Sequence, residues 1–175
     1  MNSFFDLLKN RRSIRKYLPK TVEENKIALI TSAALMSPSS KRSNPWEFVV
    51  VQDKEILTTL ADCRPHGSQF LAGSPLGIIV TADTTKTDVW MEDASIAAIL
   101  LQLQAQDLGL GSCWIQVYGR SKSDNTTTES YIRTLLNIPQ HYAVLCIISI
   151  GYPDEERKPY DEDKLAVNKI HIEKF

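Results

Sequence analysis

What most restricts the fold of this chain is a set of short apolar runs set between helical patterns. Phe48-Val49-Val50-Val51, within Glu47 to Gln52, is one; Leu76 to Ala82, Cys113 to Val117 and Ala143 to Ile150 are the others. They are rich in β-branched residues, bounded by turn residues and too short for buried helices. None alternates apolar with polar, so each reads as a strand covered on both faces. The segments between them carry helix signals. Ser3 with Asp6 resembles a capping box for a helix to about Asn10, and Thr21 with Glu24 a second, for a helix over 22–35 with Ile27, Ile30 and Ala34 at helical spacing. Asp53 is placed to cap a helix through Ala61. Residues 88–108 form the longest periodic run, with Ile96, Ile99, Leu100, Leu103 and Leu108 around much of the circumference and Gly109 as the residue after the cap. This predicts a central, mostly buried helix. Thr126 with Glu129 offers a third capping box, for a helix ending near Asn137, after an exposed loop over 119–128. Strands interleaved with helices predict a sheet with helical layers on its faces.

At 175 residues the chain predicts a single domain, residues 1–175, long enough to bury a core. A net charge of -1 argues against a dedicated nucleic-acid binder. No apolar run reaches the ~18 residues of a membrane span. Residues 1–8 are too short and polar for a targeting core, which gives the expectation of a cytoplasmic protein. Cys63, Cys113 and Cys146 are widely spaced, and neither they nor His66, His141 and His171 show metal-ligand spacing, so no metal site is expected. Residues 152–175 are too polar to fold alone, yet Ile170, Ile172 and Phe175 predict that this arm docks somewhere.

The chemistry begins at Arg11-Arg12-Ser13-Ile14-Arg15. In an extended segment Arg11, Ser13 and Arg15 point one way, and Arg12 and Ile14 the other. Guanidinium forks with a hydroxyl between them suit a phosphate, although the run alone reads equally as a solvated basic turn. A second polar segment, Ser37 to Trp46, is a loop framed by Pro38 and Pro45. Gly109 and Gly111 close a helix and open a strand, the reverse of a dinucleotide fingerprint. No Walker sequence, nucleophile elbow or paired carboxylates accompany them, so no side chain is assigned a catalytic role. A phosphate cradle without acid, base or nucleophile points to a cofactor that carries the chemistry.

These motifs, in this order, resemble the FMN-dependent nitroreductase family. The carrying residues are Arg11-Arg12-Ser13-Ile14-Arg15, the loop from Pro38-Ser39-Ser40 to Asn44-Pro45-Trp46, Gly109-Leu110-Gly111-Ser112-Cys113-Trp114-Ile115, and Ile150-Gly151-Tyr152-Pro153 with Lys158-Pro159. They span nearly the whole chain, and its length is similar to the compact branch of the family. The resemblance implies an α+β fold, with a mixed β-sheet sandwiched by helices, and an intertwined homodimer in which residues 152–175 pack on the partner subunit. It implies FMN held by Arg11, Arg12, Ser13 and Arg15, with Lys158 as a second cation. Pro38, Ser39 and Ser40 would come from the other subunit to the ring. Backbone groups of Ser112, Cys113, Trp114 and Ile115 would face its redox-active nitrogen, and Gln69 its polar edge. NADH or NADPH would be the electron donor, and a nitroaromatic, quinone or similar small molecule the acceptor, in ping-pong turnover. The alternative is a flavin-binding protein that stores or senses without turnover. Arg42 departs from the family's usual Asn and reads first as solvated, Trp46 as core, and Asp93 as a structural hydrogen-bond acceptor.

Overall fold

The computed structural model describes residues 3–175; Met1 and Asn2, part of the reading of residues 1–8 as lacking a targeting core, lie outside the described residues. The elements in chain order are α1 (Phe4–Asn10), α2 (Glu24–Leu35), β1 (Trp46–Val51), α3 (Lys54–Ala61), β2 (Leu76–Asp83), α4 (Trp90–Asp107), β3 (Gly111–Gln116), β4 (Ser121–Ser123), β5 (Thr126–Thr127), α5 (Thr128–Leu136) and β6 (Tyr142–Gly151). Four strands form the central sheet in the order β1-β2-β6-β3, each pair antiparallel. The parallel contribution is one bridge, Ser13 to Ser112, which lays the arginine segment beside β3.

The sheet is covered on both faces, and each strand divides its side chains between two cores. Ile78 and Val80 of β2 with Ile148 and Ile150 of β6 face α2 and α4. Ile79 and Ile147 face the other way, toward Leu57 and Leu60 of α3 and Ile132 of α5. This double burial is why the strands read as continuous apolar runs. The pairing of β2 with β6 shifts between Val80 and Thr81, leaving Leu145 as the extra residue of a β-bulge. Its carbonyl accepts from the amides of Val117 and Tyr118, which turns the chain away at the end of β3.

α4 lies against the sheet differently from expectation. Its buried face is Asp93, Ala94, Ala97, Ala98, Leu101, Gln102 and Ala105. The small alanines let it approach β2, β6 and α2 closely, and Ile96 and Ile99 are turned outward at 40% and 37% exposure. Its end is as predicted. The amides of Gly109 and Leu110 bond to the carbonyls of Gln106 and Ala105, a Schellman closure, with Gly109 at φ +75°.

The capping signals divide. The Ser3–Asp6 box forms in both directions, and Asp53 accepts from the amide of Ile56. The Thr21 box does not form: α2 starts after Glu23 with no side-chain cap. α5 is capped by Thr127, which accepts from the amide of Ser130. Glu129 instead holds Arg133 at 2.6 Å and the amide of Val144 at 3.0 Å, tying α5 to β6. The expected exposed loop before α5 contains the small β4–β5 hairpin.

Candidate anion cradle and flavin site

The arginine segment leaves α1 extended and runs along the free edge of β3. The amide of Ile14 donates to the carbonyl of Ser112 at 3.0 Å. Ile14 turns inward and is buried, and it meets the sheet at Gly111. A Cβ on Gly111 would stand 2.7 Å from Cβ and Cγ1 of Ile14, so only glycine allows the segment to lie this close. Further on, the amide of Leu18 donates to Tyr152, and that of Asp154 to Lys16. The basic segment is thus fastened to the sheet edge and to the strand end of β6.

Arg11, Arg12, Ser13 and Arg15 line one polar cavity of about 220 Å³, together with Arg157 and Tyr160 from the C-terminal segment. Arg12 leaves the alternation expected of it. Its guanidinium donates to the carbonyl of Lys158 and lies 4.6 Å over the Tyr160 ring. Arg15 lies 5.8 Å over the ring of Phe70. The C-terminal cation lining the cavity is Arg157, whereas Lys158 contributes its carbonyl to Arg12. The two residues are adjacent and alike in charge, and no spacing in the sequence distinguishes which turns inward.

Glu155 organises this side of the cavity. One oxygen accepts from the amides of Arg15 at 2.5 Å and Lys16 at 3.2 Å, and the other pairs with Arg157 at 2.6 Å. These contacts, the Arg15 amide first and then the Arg157 charge, outweigh partial burial and hold its pKa below the ordinary 4.5. Beneath the cavity lies Cys113, 2% exposed; burial pushes its thiol pKa up against the opposing effects of Arg15, Ser13 and Arg11.

β3 is an edge strand, and past the Ser13–Ser112 bridge its outer edge has no strand partner among the described residues. The backbone of Cys113, Trp114 and Ile115 therefore runs directly from the cradle. The Trp114 indole donates to Gln116 at 2.9 Å, and Gln116 in turn donates to the carbonyl of Tyr118 at 2.9 Å. Tyr118 meets Trp90 edge-on at 5.0 Å.

Gln69 is placed against the expectation. Its amide oxygen accepts from Gly67 and Ser68, and its nitrogen donates to the carbonyls of Arg64 and Pro65. Both ends of the amide close its own turn, and neither is left for a ring.

The loop with Pro38, Ser39 and Ser40 stands at the other end of α4. Buried Asp93 accepts from the amide of Ser40 at 2.9 Å, and the Ser39 hydroxyl bonds both the side chain and the amide of Asn44. These contacts hold a strained backbone. Lys41, Arg42 and Asn44 have φ of 51°, 56° and 42°, sparsely populated for non-glycine residues. Arg42 itself is exposed, and Trp46 is core, 7% exposed and stacked on Phe48 at 5.7 Å. Asp93 opens α4, while Gln106 near its end lines the groove with Arg12 and Gly111. At 1.5 Å per residue, loop and cradle are separated by roughly 20 Å along the helix.

An edge-strand arginine cradle on a helix-covered antiparallel sheet is the frame in which the comparisons fall. A sequence profile of the nitroreductase family matches residues 8–64 and 62–152. An FMN-dependent nitroreductase from Clostridium difficile R20291 superposes with a TM-score of 0.97 at 53% identity, covering 98% of this chain and 99% of its own. Two relatives carry the provisional description NADH dehydrogenase/NAD(P)H nitroreductase. The one from Methanothermobacter thermautotrophicus is 36% identical over 97% of this chain and 86% of its own. The one from Archaeoglobus fulgidus is 33% identical over the full length of both. The chain belongs to the nitroreductase family. No helix among the described residues is long and apolar enough to cross a membrane.

Proposed function

We propose that the protein is an FMN-dependent oxidoreductase that draws electrons from NADH or NADPH and works as a homodimer. The observation that carries this reading is the cavity lined by Arg11, Arg12, Ser13, Arg15 and Arg157 at the edge of β3. Its donor set fits a phosphate: guanidinium forks and a hydroxyl offer several charge-assisted hydrogen bonds to a dianion. The structural neighbour from C. difficile is by its own description FMN-dependent, and it covers 98% of this chain. Bound here, FMN would supply the redox chemistry, hydride transfer from a nicotinamide and onward reduction, in ping-pong order, of a nitroaromatic, quinone or similar electron-poor acceptor.

The chain's own residues then bind and orient. Arg11, Ser13 and Arg15 would hold the phosphate, with Arg157 closing it from the arm and Arg12 tied to that arm through Lys158 and Tyr160. The free edge of Cys113 to Ile115 offers backbone groups to the ring. Pro38, Ser39 and Ser40, fixed by Asp93, are assigned to the ring held by the other subunit. Three features support the dimer. Loop and cradle stand at opposite ends of α4 within one chain. The outer faces of α1, α2 and α4 also carry Phe4, Leu35, Met36, Ile96 and Ile99 exposed, a broad apolar surface for a lone chain. The arm supports the same reading: it touches α1 through Lys9 and Glu162, after which Ile170, Ile172 and Phe175 are exposed.

The test is anaerobic. The FMN-loaded protein is mixed with NADH or NADPH, and the oxidised flavin absorbance is followed. It should bleach, then return when a nitroaromatic or quinone is added. A flavin that dithionite reduces but neither nicotinamide touches would replace turnover with storage or sensing.

A further inference from the structure

A serine in the buried, otherwise apolar second half of β6 has no packing explanation. Ser149 lies between Ile147-Ile148 and Ile150 in β6, opposite Cys113 in register, and is fully buried. A hydroxyl there gives up apolar contact and requires a partner. Its partner is the phenol of Tyr17, with Oγ and Oη 2.7 Å apart. Tyr17 is itself 9% exposed, and its Oη lies 2.5 Å from the carbonyl of Ile14. The carbonyl has no proton to give, so the phenol proton goes to it. Ser149 therefore gives its single proton to Tyr17, the nearer partner, and the Cys113 carbonyl lies 3.3 Å away. Burial raises the Tyr17 pKa far above its ordinary value, which keeps the phenol a donor at all ordinary pH.

The bond falls on a particular peptide plane. The carbonyl of Ile14 and the amide of Arg15 belong to the same planar unit. Tyr17 holds its oxygen, and Glu155 holds its N–H at 2.5 Å. The preceding plane is held by the bond from the Ile14 amide to Ser112 at 3.0 Å. Ser13 and Arg15, two of the anion's proposed ligands, hang from these two planes. Room for the Tyr17 ring comes from Gly151, where a Cβ would stand 2.9 Å from the ring's Cδ1. We infer that Ser149 and Tyr17 are positioning residues: a buried hydroxyl relay that fixes the Ile14–Arg15 peptide and so aims the cradle at a phosphate. The inference rests on the FMN reading above and extends it to residues that touch no ligand.

The experiment compares affinities of the apoprotein for FMN and for riboflavin, which differ by the phosphate. The wild type should bind FMN more tightly. Tyr17→Phe should raise the FMN Kd about fivefold to twentyfold, and the riboflavin Kd less than about twofold, because it strands the Ile14 carbonyl. Ser149→Ala should produce a smaller loss in the same direction, about twofold to fivefold, since Tyr17 keeps its own bond. Because Ser149 acts through Tyr17, the double variant should match Tyr17→Phe rather than multiply the two losses. A purely structural role predicts that both ligands weaken in step, or that the losses multiply; either result overturns the inference alone. Equal wild-type affinity for FMN and riboflavin would sink the phosphate reading, and the relay with it. Ser149→Ala is the milder change and carries the test if Tyr17→Phe unfolds.

Discussion

Arg11 has no carboxylate partner among the described salt bridges, and its guanidinium borders the polar cavity. Hydrogen bonds to charged groups contribute about 1.5–3 kcal/mol each. Arg11→Ala should therefore weaken FMN binding roughly tenfold to a hundredfold and leave riboflavin binding unchanged, read by titrating apoprotein with each. Gly111 acts on the same segment through shape alone. In Gly111→Ala the new methyl meets branched Ile14 at 2.7–2.8 Å, and that side chain is buried against the sheet with nowhere to swing. The cradle must lift from β3. Overpacking of this kind costs about 1–3 kcal/mol, so denaturant unfolding should show that loss together with weaker FMN binding. Unchanged stability would mean that the segment is not seated where Gly111 receives it.

At the scale of elements, the cradle is a joint between the segment after α1 and the segment after β6, and Glu155 is its pin. The folded-state pKa of Glu155 is depressed below 4.5, so its contribution is fully present above that value. It is lost as pH falls through the depressed folded value. FMN should therefore dissociate more readily as pH falls below the ordinary carboxylate value of 4.5, and Glu155→Gln should remove that part of the acid dependence. Fluorescence of released flavin across the pH range reads this directly. If the variant kept the full acid loss, the pin would lie elsewhere. The sequence made the strands, the end of α4 and the arginine segment legible, because each depends on local chemistry: β-branched runs, a left-handed glycine, charge density. It did not make Glu129, Gln69 or Arg157 legible. Glu129 has the spacing of a capping box, yet a neighbouring strand amide and Arg133 offer it more than the helix start does. Gln69 is a polar side chain in an irregular segment, and only the fold reveals that four backbone groups already occupy it. The burial of α4 differs for a similar reason: the pattern marks it apolar all round, but alanines and Leu101 take the face against the sheet and leave Ile96 and Ile99 exposed.

For the whole molecule, that outside surface decides whether the site is made by one chain or two. Ser39 and Ser40 are anchored at the start of α4, and the arginines lie near its end. If the loop serves the flavin held by a partner subunit, defects in loop and cradle sit in different sites of a mixed dimer. A chain with Arg11→Ala keeps its loop, and a chain with Ser39→Ala and Ser40→Ala keeps its cradle. Each homodimer should bind FMN weakly or turn over poorly. Dissociated and reassociated together, they should form heterodimers in which one site carries both lesions and the other neither. With random pairing about one site in four is then intact, and activity should rise above that of either parent in proportion. Sedimentation should give a dimer throughout, and Ile96→Lys with Ile99→Lys should shift it toward monomer and abolish the rescue. No rescue from a mixture confirmed to contain heterodimers would place loop and cradle around the same flavin within one chain. The extended separation along α4 would then have to close by a movement of the 38–44 loop, against the hold of Asp93.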